Sequence, residues 1–114
     1  ACLGRSLDEL QSAVDAIGAA GGEAMALQAD VGSSDELALA VAQIGERWGR
    51  LDIVLANAGV NGVWAPIEEL QPEEWEQTLR INLTGTFLTL KHAAPYLRRR
   101  GGSAIVTASV NGTR

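Results

Sequence analysis

Asp30-Val31, Asn57-Ala58-Gly59 and Thr107-Ala108-Ser109 each close a short apolar segment with a carboxylate, an amide or hydroxyls. Set side by side, such tips make a groove with fixed acceptors, a hydroxyl donor and glycine backbone that a ligand can approach closely. That inventory suits a nucleotide, with ribose hydroxyls and polar rings. Each tip taken singly also reads as loop chemistry, in which Asp and Asn turn the chain, Gly permits positive φ and Ser caps the next segment.

Asn82 is placed differently, inside an apolar stripe. At about 100° per residue, Trp75, Leu79, Thr86, Leu90, Ala93 and Leu97 lie within about 80° of it, so its amide is expected to face the sheet. A buried amide needs partners. They are either a neighbouring backbone carbonyl, or a water or main-chain group that Asn82 holds near the strand tips. His92 lies off the stripe with no second ligand nearby in sequence, and is read as a solvated helix residue. Arg98, Arg99 and Arg100 read as a helix-end cluster. Trp48 and Trp75 read as core anchors, while Trp64 lies on a loop and is free to face a ligand.

The elements that must hold these residues can be read from patterning. The run Ile53–Ala56 is too short for a helix and does not alternate, so it reads as a strand buried on both faces, as a parallel sheet requires. Ser103–Ala108 reads the same way. Residues Glu23–Ala29 read as a shorter strand, and Ala1–Leu3 as the tail of another. Two helices open on capping-box patterns, Ser6 with Glu9 and Ser33 with Glu36. Their stripes are Leu7, Leu10, Val14 and Ile17, then Leu37, Val41, Ile44 and Trp48, and glycines end both. Pro72 opens the longest helix, which runs to Arg100 with glutamates at its start and arginines at its end, over roughly 40 Å. Residues 60–71 form a loop of mixed polarity. Strands alternating with helices predict an α/β fold: a Rossmann-type, doubly wound parallel sheet with helices on both faces.

With 114 residues the chain is one domain at most. The excess of 14 Asp and Glu over 9 Lys and Arg gives a net charge of -5, which argues against a nucleic-acid partner. The lone Cys2 cannot form an internal disulfide, and no apolar run is long enough to span a bilayer. A cytoplasmic location is expected, with no membrane partner. The first residues resemble the end of a strand, and the last, Val110–Arg114, stop in a loop. Both ends therefore look cut.

Taken in order, Asp30-Val31, Asn57-Ala58-Gly59, the Asn82-Leu83 pair in Ile81–Gly85 and the strand Ile105–Val110 resemble the short-chain dehydrogenase/reductase family. The resemblance covers essentially all 114 residues. It implies a central fragment of an NAD(P)-dependent oxidoreductase that moves a hydride between a nicotinamide cofactor and a small carbonyl or alcohol substrate. It further implies that Asp30 and Val31 hold the adenine ring, and that Asn57, Ala58 and Gly59 support the central strand and touch the cofactor ribose. Asn82 then anchors a proton-relay water. Ser109 hydrogen-bonds the substrate and orients the general base, with the Thr107 and Ala108 backbone passing beside the nicotinamide. Gly4-Arg5 stands where the family distinguishes its cofactors. Gly followed by Arg leaves room and positive charge for a 2'-phosphate, which favours NADP(H) with NAD(H) possible.

The resemblance also implies parts that these residues do not contain: a glycine-rich phosphate loop upstream of Ala1 and a Tyr-x-x-x-Lys pair beyond Arg114. Tyr96 has no Lys four residues on and is no substitute. The 114 residues alone are therefore expected to be inactive. The domain is expected to be a partial one. In the family's sheet, the strands at Glu23–Ala29 and Leu51–Ala56 are separated by two strand positions, only one of which Ala1–Leu3 could fill, so an isolated chain is expected to be partly molten or to aggregate. The full-length form is expected to be a homodimer or homotetramer. A non-catalytic nucleotide-binding relative and an inactive truncated product are the alternatives.

Overall fold

A computed structural model of the chain describes residues 1–109. Its elements run β1 (Cys2–Gly4), α1 (Leu7–Ala19), β2 (Ala26–Gln28), α2 (Ser34–Trp48), β3 (Ile53–Ala56), α3 (Pro72–Leu79), a π turn (Arg80–Thr84), α4 (Gly85–Arg100) and β4 (Ser103–Val106). β1 pairs in parallel with β2, setting Leu3 against Leu27. β3 pairs in parallel with β4, setting Leu55 against Ile105. The two pairs form separate sheets. Parallel strands need crossovers, and helices supply them: α1 for the first pair, and the α3–α4 run for the second.

Helix ends form where the side chains demand. Ser6 and Ser33 accept from the Glu9 and Glu36 amides at 3.4 Å, satisfying one orphan donor at each N-terminus. The Glu36 carboxylate does not return to Ser33, as a full capping box would have it. It takes the Asp30 amide at 2.8 Å, tying the end of β2 to the start of α2. Gly49 closes α2 with φ 68, a conformation in which a side chain would be strained. At α3, Pro72 stands at the first helical position and the Glu74 carboxylate accepts from the Gln71 amide at 3.0 Å.

The core follows the predicted stripes in part. Leu10 alone of its stripe is buried on α1. On α2, Leu37 and Val41 are buried together with Ala40. Leu27, Ala29 and Ala40 form a buried cluster with Leu3, Met25 and Ile44 against it.

Several expectations are corrected. β2 is shorter than Glu23–Ala29 because its one partner among the described residues, β1, has three residues. β3 and β4 are not buried on both faces: Ile53 is 64% and Leu55 58% exposed, and every residue of β4 is exposed. α4 covers one face of this pair, and among the described residues β3 is hydrogen-bonded along one edge only. β4 ends at Val106, short of Ala108.

β2 and β3 do not pair, as expected, and Cys2–Gly4 pairs with β2 as the one intervening strand the sequence could supply, leaving an opening between the two sheets. An apolar groove of about 830 Å³ lies there, floored by Leu37, Val41 and Ile44 and walled by Leu3 on one side and Ile53 and Leu55 on the other.

The Pro72–Arg100 run is not one regular helix. At the π turn the Gly85 amide donates to the Arg80 carbonyl, five residues back. The extra residue turns the following helix, so Ile81, Gly85, Leu88 and Ala93 face inward. Trp75, expected in the core, is 55% exposed, and Asn82 is exposed as well. Trp48 is half-buried and donates its indole N–H to Glu23 at 3.2 Å. His92 is not simply solvated: it is half-buried and its Nε2 lies 3.1 Å from the Ser34 hydroxyl, joining α4 to the start of α2. Tyr96 packs at the far end of α4, its hydroxyl against Gly45.

Candidate functional site

Two clusters form at the carboxyl ends of the strands. The first comes after β2. Asp30 Oδ1 accepts from the Gly32 amide at 2.8 Å and Oδ2 accepts from Arg80 Nη1 at 2.9 Å. The Gly32 amide is the main reason the Asp30 carboxyl sits below the usual carboxylate range, and the Arg80 guanidinium lowers it further against the opposing effect of burial. Arg5, exposed just past β1, adds a weaker attraction. Val31 packs on Gly85, where an added Cβ would come within 2.8 Å of Val31 Cγ2. A glycine is needed there for the helix to lie this close.

The second cluster comes after β3 and β4. Thr107 donates its amide to the Ala56 carbonyl at 3.1 Å, carrying the ladder one step past β4. Its hydroxyl donates to Asn57 Oδ1 at 2.7 Å, joining the tips of both strands. Asn82 reaches the same loop from the π turn. Its Oδ1 accepts from the Val60 amide and its Nδ2 donates to the Val60 carbonyl, each at 2.8 Å. A Cβ on Gly59 would lie 3.4 Å from Asn82 Oδ1, so the turn passes close under the amide. Asn82 is thus paired with main chain at Val60, just past the Asn57–Gly59 tip.

The structure thus joins Asn57 to Thr107, and Asn82 to the residue following Gly59. Asp30 and Val31 form the separate cluster. Ala58, Ala108 and Ser109 lie on the exposed tips after β3 and β4. The predicted strand segment at Val110 lies outside the described residues. Sequence reasoning missed Arg80. The signal was its place two residues before Asn82, which a regular helix would have pointed elsewhere.

Chemically, the two clusters suit the two ends of a dinucleotide: a held carboxylate suits an amino group, and the amide, hydroxyl and backbone groups suit a ribose and a carboxamide ring. The fit rests on the Asp30 carboxylate, whose two oxygens are each held from one side and keep lone pairs for a ligand. Among the described residues no helix is long and apolar enough to cross a membrane.

A sequence profile described as short chain dehydrogenase matches residues 1–114. An uncharacterized NAD-dependent oxidoreductase of Mycobacterium tuberculosis is 40% identical over 109 residues, spanning 94% of this chain and 39% of that protein. A 3-ketoacyl-ACP reductase from Sinorhizobium meliloti superposes with TM-score 0.94 at 51% identity, covering 97% of this chain and 44% of that one. An alcohol dehydrogenase from Thermococcus sibiricus, complexed with 5-hydroxy-NADP, gives TM-score 0.88 at 34% identity, covering 94% of this chain and 46% of that one. The chain spans 39% of the length of the Mycobacterium relative it matches.

Proposed function

This chain belongs to the short-chain dehydrogenase family, and from that premise we propose that it is the central segment of an NAD(P)-dependent oxidoreductase acting on a small carbonyl or alcohol. The observation that carries the reading is the pairing of Asn82 with Val60 beside the Asn57–Thr107 bond. It gathers an amide, a hydroxyl and close-approach backbone at the ends of two parallel strands.

In this reading NAD(P)(H), when bound, supplies or takes up the hydride. Asp30 and Val31 receive the adenine, Asn57, Ala58 and Gly59 line the ribose, and the backbone of Thr107 and Ala108 passes the nicotinamide. Ser109 hydrogen-bonds the substrate oxygen, and Asn82 fixes the turn at Val60 and orders a proton-relay water next to it. Arg5 supplies the charge for a 2'-phosphate, which favours NADP(H) over NAD(H). Both cofactor classes occur among the relatives, one named NAD-dependent and one bound to an NADP derivative.

The 114 residues alone are proposed to lack turnover, because none of the residues placed here is a proton donor of suitable pKa beside the substrate oxygen. The exposed stripe Leu83 and Phe87, at 65% and 60%, supports a homodimer or homotetramer through the α3–α4 run, and a cytoplasmic location belongs to the same proposal.

The test is titration of the protein on its full reading frame with NADPH and NADH, followed by assay on a panel of ketones and alcohols. Saturable binding, turnover and a drop in kcat of about tenfold or more in Ser109→Ala support the reading. Binding without turnover on any of the panel would favour a nucleotide-binding relative instead.

A further inference from the structure

Arg80 belongs to none of the motifs that identify the family, yet it makes the closest charged contact to Asp30. Its Nη1 lies 2.9 Å from Asp30 Oδ2, with the pair partly withdrawn from solvent at 41% and 22% side-chain exposure. The guanidinium lies against the backbone at Gly32, where an ideal Cβ would collide with Nη1 and fall 3.0 Å from Cζ. Gly32 is therefore a glycine that makes room for Arg80. The same residue's amide holds the other carboxylate oxygen at 2.8 Å. The Asp30 amide is taken by Glu36 and its carbonyl by the Ser33 amide at 2.9 Å. Every polar group of Asp30 has a fixed partner, and only the outward lone pairs of its carboxylate remain for a ligand.

The position of Arg80 comes from the π turn. Arg80 opens that turn and Asn82 lies within it, so one five-residue segment sends a side chain to each of the two clusters at the strand ends.

We propose that Arg80 is a positioning residue that holds the Asp30 carboxylate in a single orientation, so that it accepts from the exocyclic amino group of adenine and rejects a ring bearing an oxygen there. This rests on the reading of Asp30 as the adenine partner. A carboxylate accepts from an amino group but meets a 6-oxo group acceptor to acceptor, with no proton between them. Without Arg80 one carboxylate oxygen loses its partner. The side chain then gains rotamers that can turn away from an oxo ring, so discrimination falls more than affinity does.

The experiment compares the protein on its full reading frame with Arg80→Gln and Arg80→Lys, and with Asp30→Asn alone and combined with Arg80→Gln. The probes are NADPH and NADH and their hypoxanthine counterparts, in which an oxo group replaces the adenine amino group. The expected wild-type preference for the adenine form is roughly tenfold or more, as for a hydrogen bond to a charged group. Arg80→Gln should reduce that ratio several-fold, Arg80→Lys should retain part of it, and adding Arg80→Gln to Asp30→Asn should change it no further. Equal weakening toward both base types, with the ratio intact, would overturn the inference and leave the cofactor reading standing. Wild-type protein that binds neither NADPH nor NADH would overturn both.

Discussion

Asn82 meets Val60 with both of its polar atoms, accepting the backbone N–H and donating to the backbone C=O, each at 2.8 Å. A side-chain amide that mimics one rung of a β ladder fixes the start of the loop after β3 to the π turn. Asn82→Ala should lower stability by about 1–2 kcal/mol, the loss of two hydrogen bonds at an exposed site. Asn82→Asp should cost more at neutral pH, because an ionised oxygen then faces the Val60 carbonyl. Part of that cost should return as the introduced acid protonates. Urea denaturation of the three proteins at two pH values checks the order, and Asp no worse than Ala at neutral pH would show that the Val60 carbonyl has no need of the amide.

The Asp30 carboxyl lies below the usual range through the Gly32 amide first and Arg80 second. A folded-state pKa below the unfolded value of about 3.9 means that the contribution is fully present above that value and is lost as the pH falls through the lower, folded one. The stability difference between wild type and Asp30→Asn should thus be flat from about pH 7 to 5 and shrink below about pH 4. Denaturation midpoints across that range test it. A difference that grows on acidification would reverse the sign.

Three glycines should respond in different ways to one methyl group. Gly85→Ala presses Cβ to 2.8 Å from Val31, and Gly45→Ala drives it into the Tyr96 hydroxyl. Each should destabilise by about 1–3 kcal/mol, less at Gly45 if the Tyr96 ring swings outward. Gly18, inside α1, has nothing within 4 Å. Gly18→Ala should stabilise by about 0.5–1 kcal/mol through helix propensity alone. Thermal midpoints of the three variants measure both signs.

The groove between the two sheets exposes strand edges and apolar walls, Ile53 and Leu55 among them. The 114-residue polypeptide by itself should bind anilinonaphthalene sulfonate strongly and show weak near-ultraviolet dichroism with far-ultraviolet helix signal retained. Sharp, dispersed amide resonances and no dye binding would show that the two sheets hold together unaided.

Along the α3–α4 run, Trp75, Leu79, Leu83 and Phe87 present exposed apolar side chains four residues apart. Leu83→Glu with Phe87→Glu in the protein on its full reading frame should shift sedimentation toward monomer with little change in the folded spectrum. An unchanged oligomer would place the contact on another face.

The α/β alternation, the caps at Ser6 and Ser33 and the strand tips were legible because each depends on neighbours close in sequence. Asp30, Asn57 and Asn82 were visible as polar residues at the ends or on the faces of apolar segments. The features that could not be read were set by distant partners. The exposure of Ile53 and Leu55 is set by what packs on the sheet face, which the local pattern of the strand does not carry. Asn82 was assigned to a buried face because a uniform 100° step was assumed, and the π turn breaks that step. The Arg80–Asp30 contact spans fifty positions and depends on the same irregularity.

One added residue in a helix has a geometric effect that reaches beyond its own turn. It advances every later residue by about 100° while keeping the axis continuous. Residues before Arg80 and after Thr84 are therefore out of phase, and a single rod can face two different neighbours. Its first part lies against the loop after β3, where Thr78 approaches Gly62, and its second against α2 and β3. Deleting one residue within Arg80–Thr84 would leave a straighter, more regular helix whose inward and outward surfaces no longer match their surroundings.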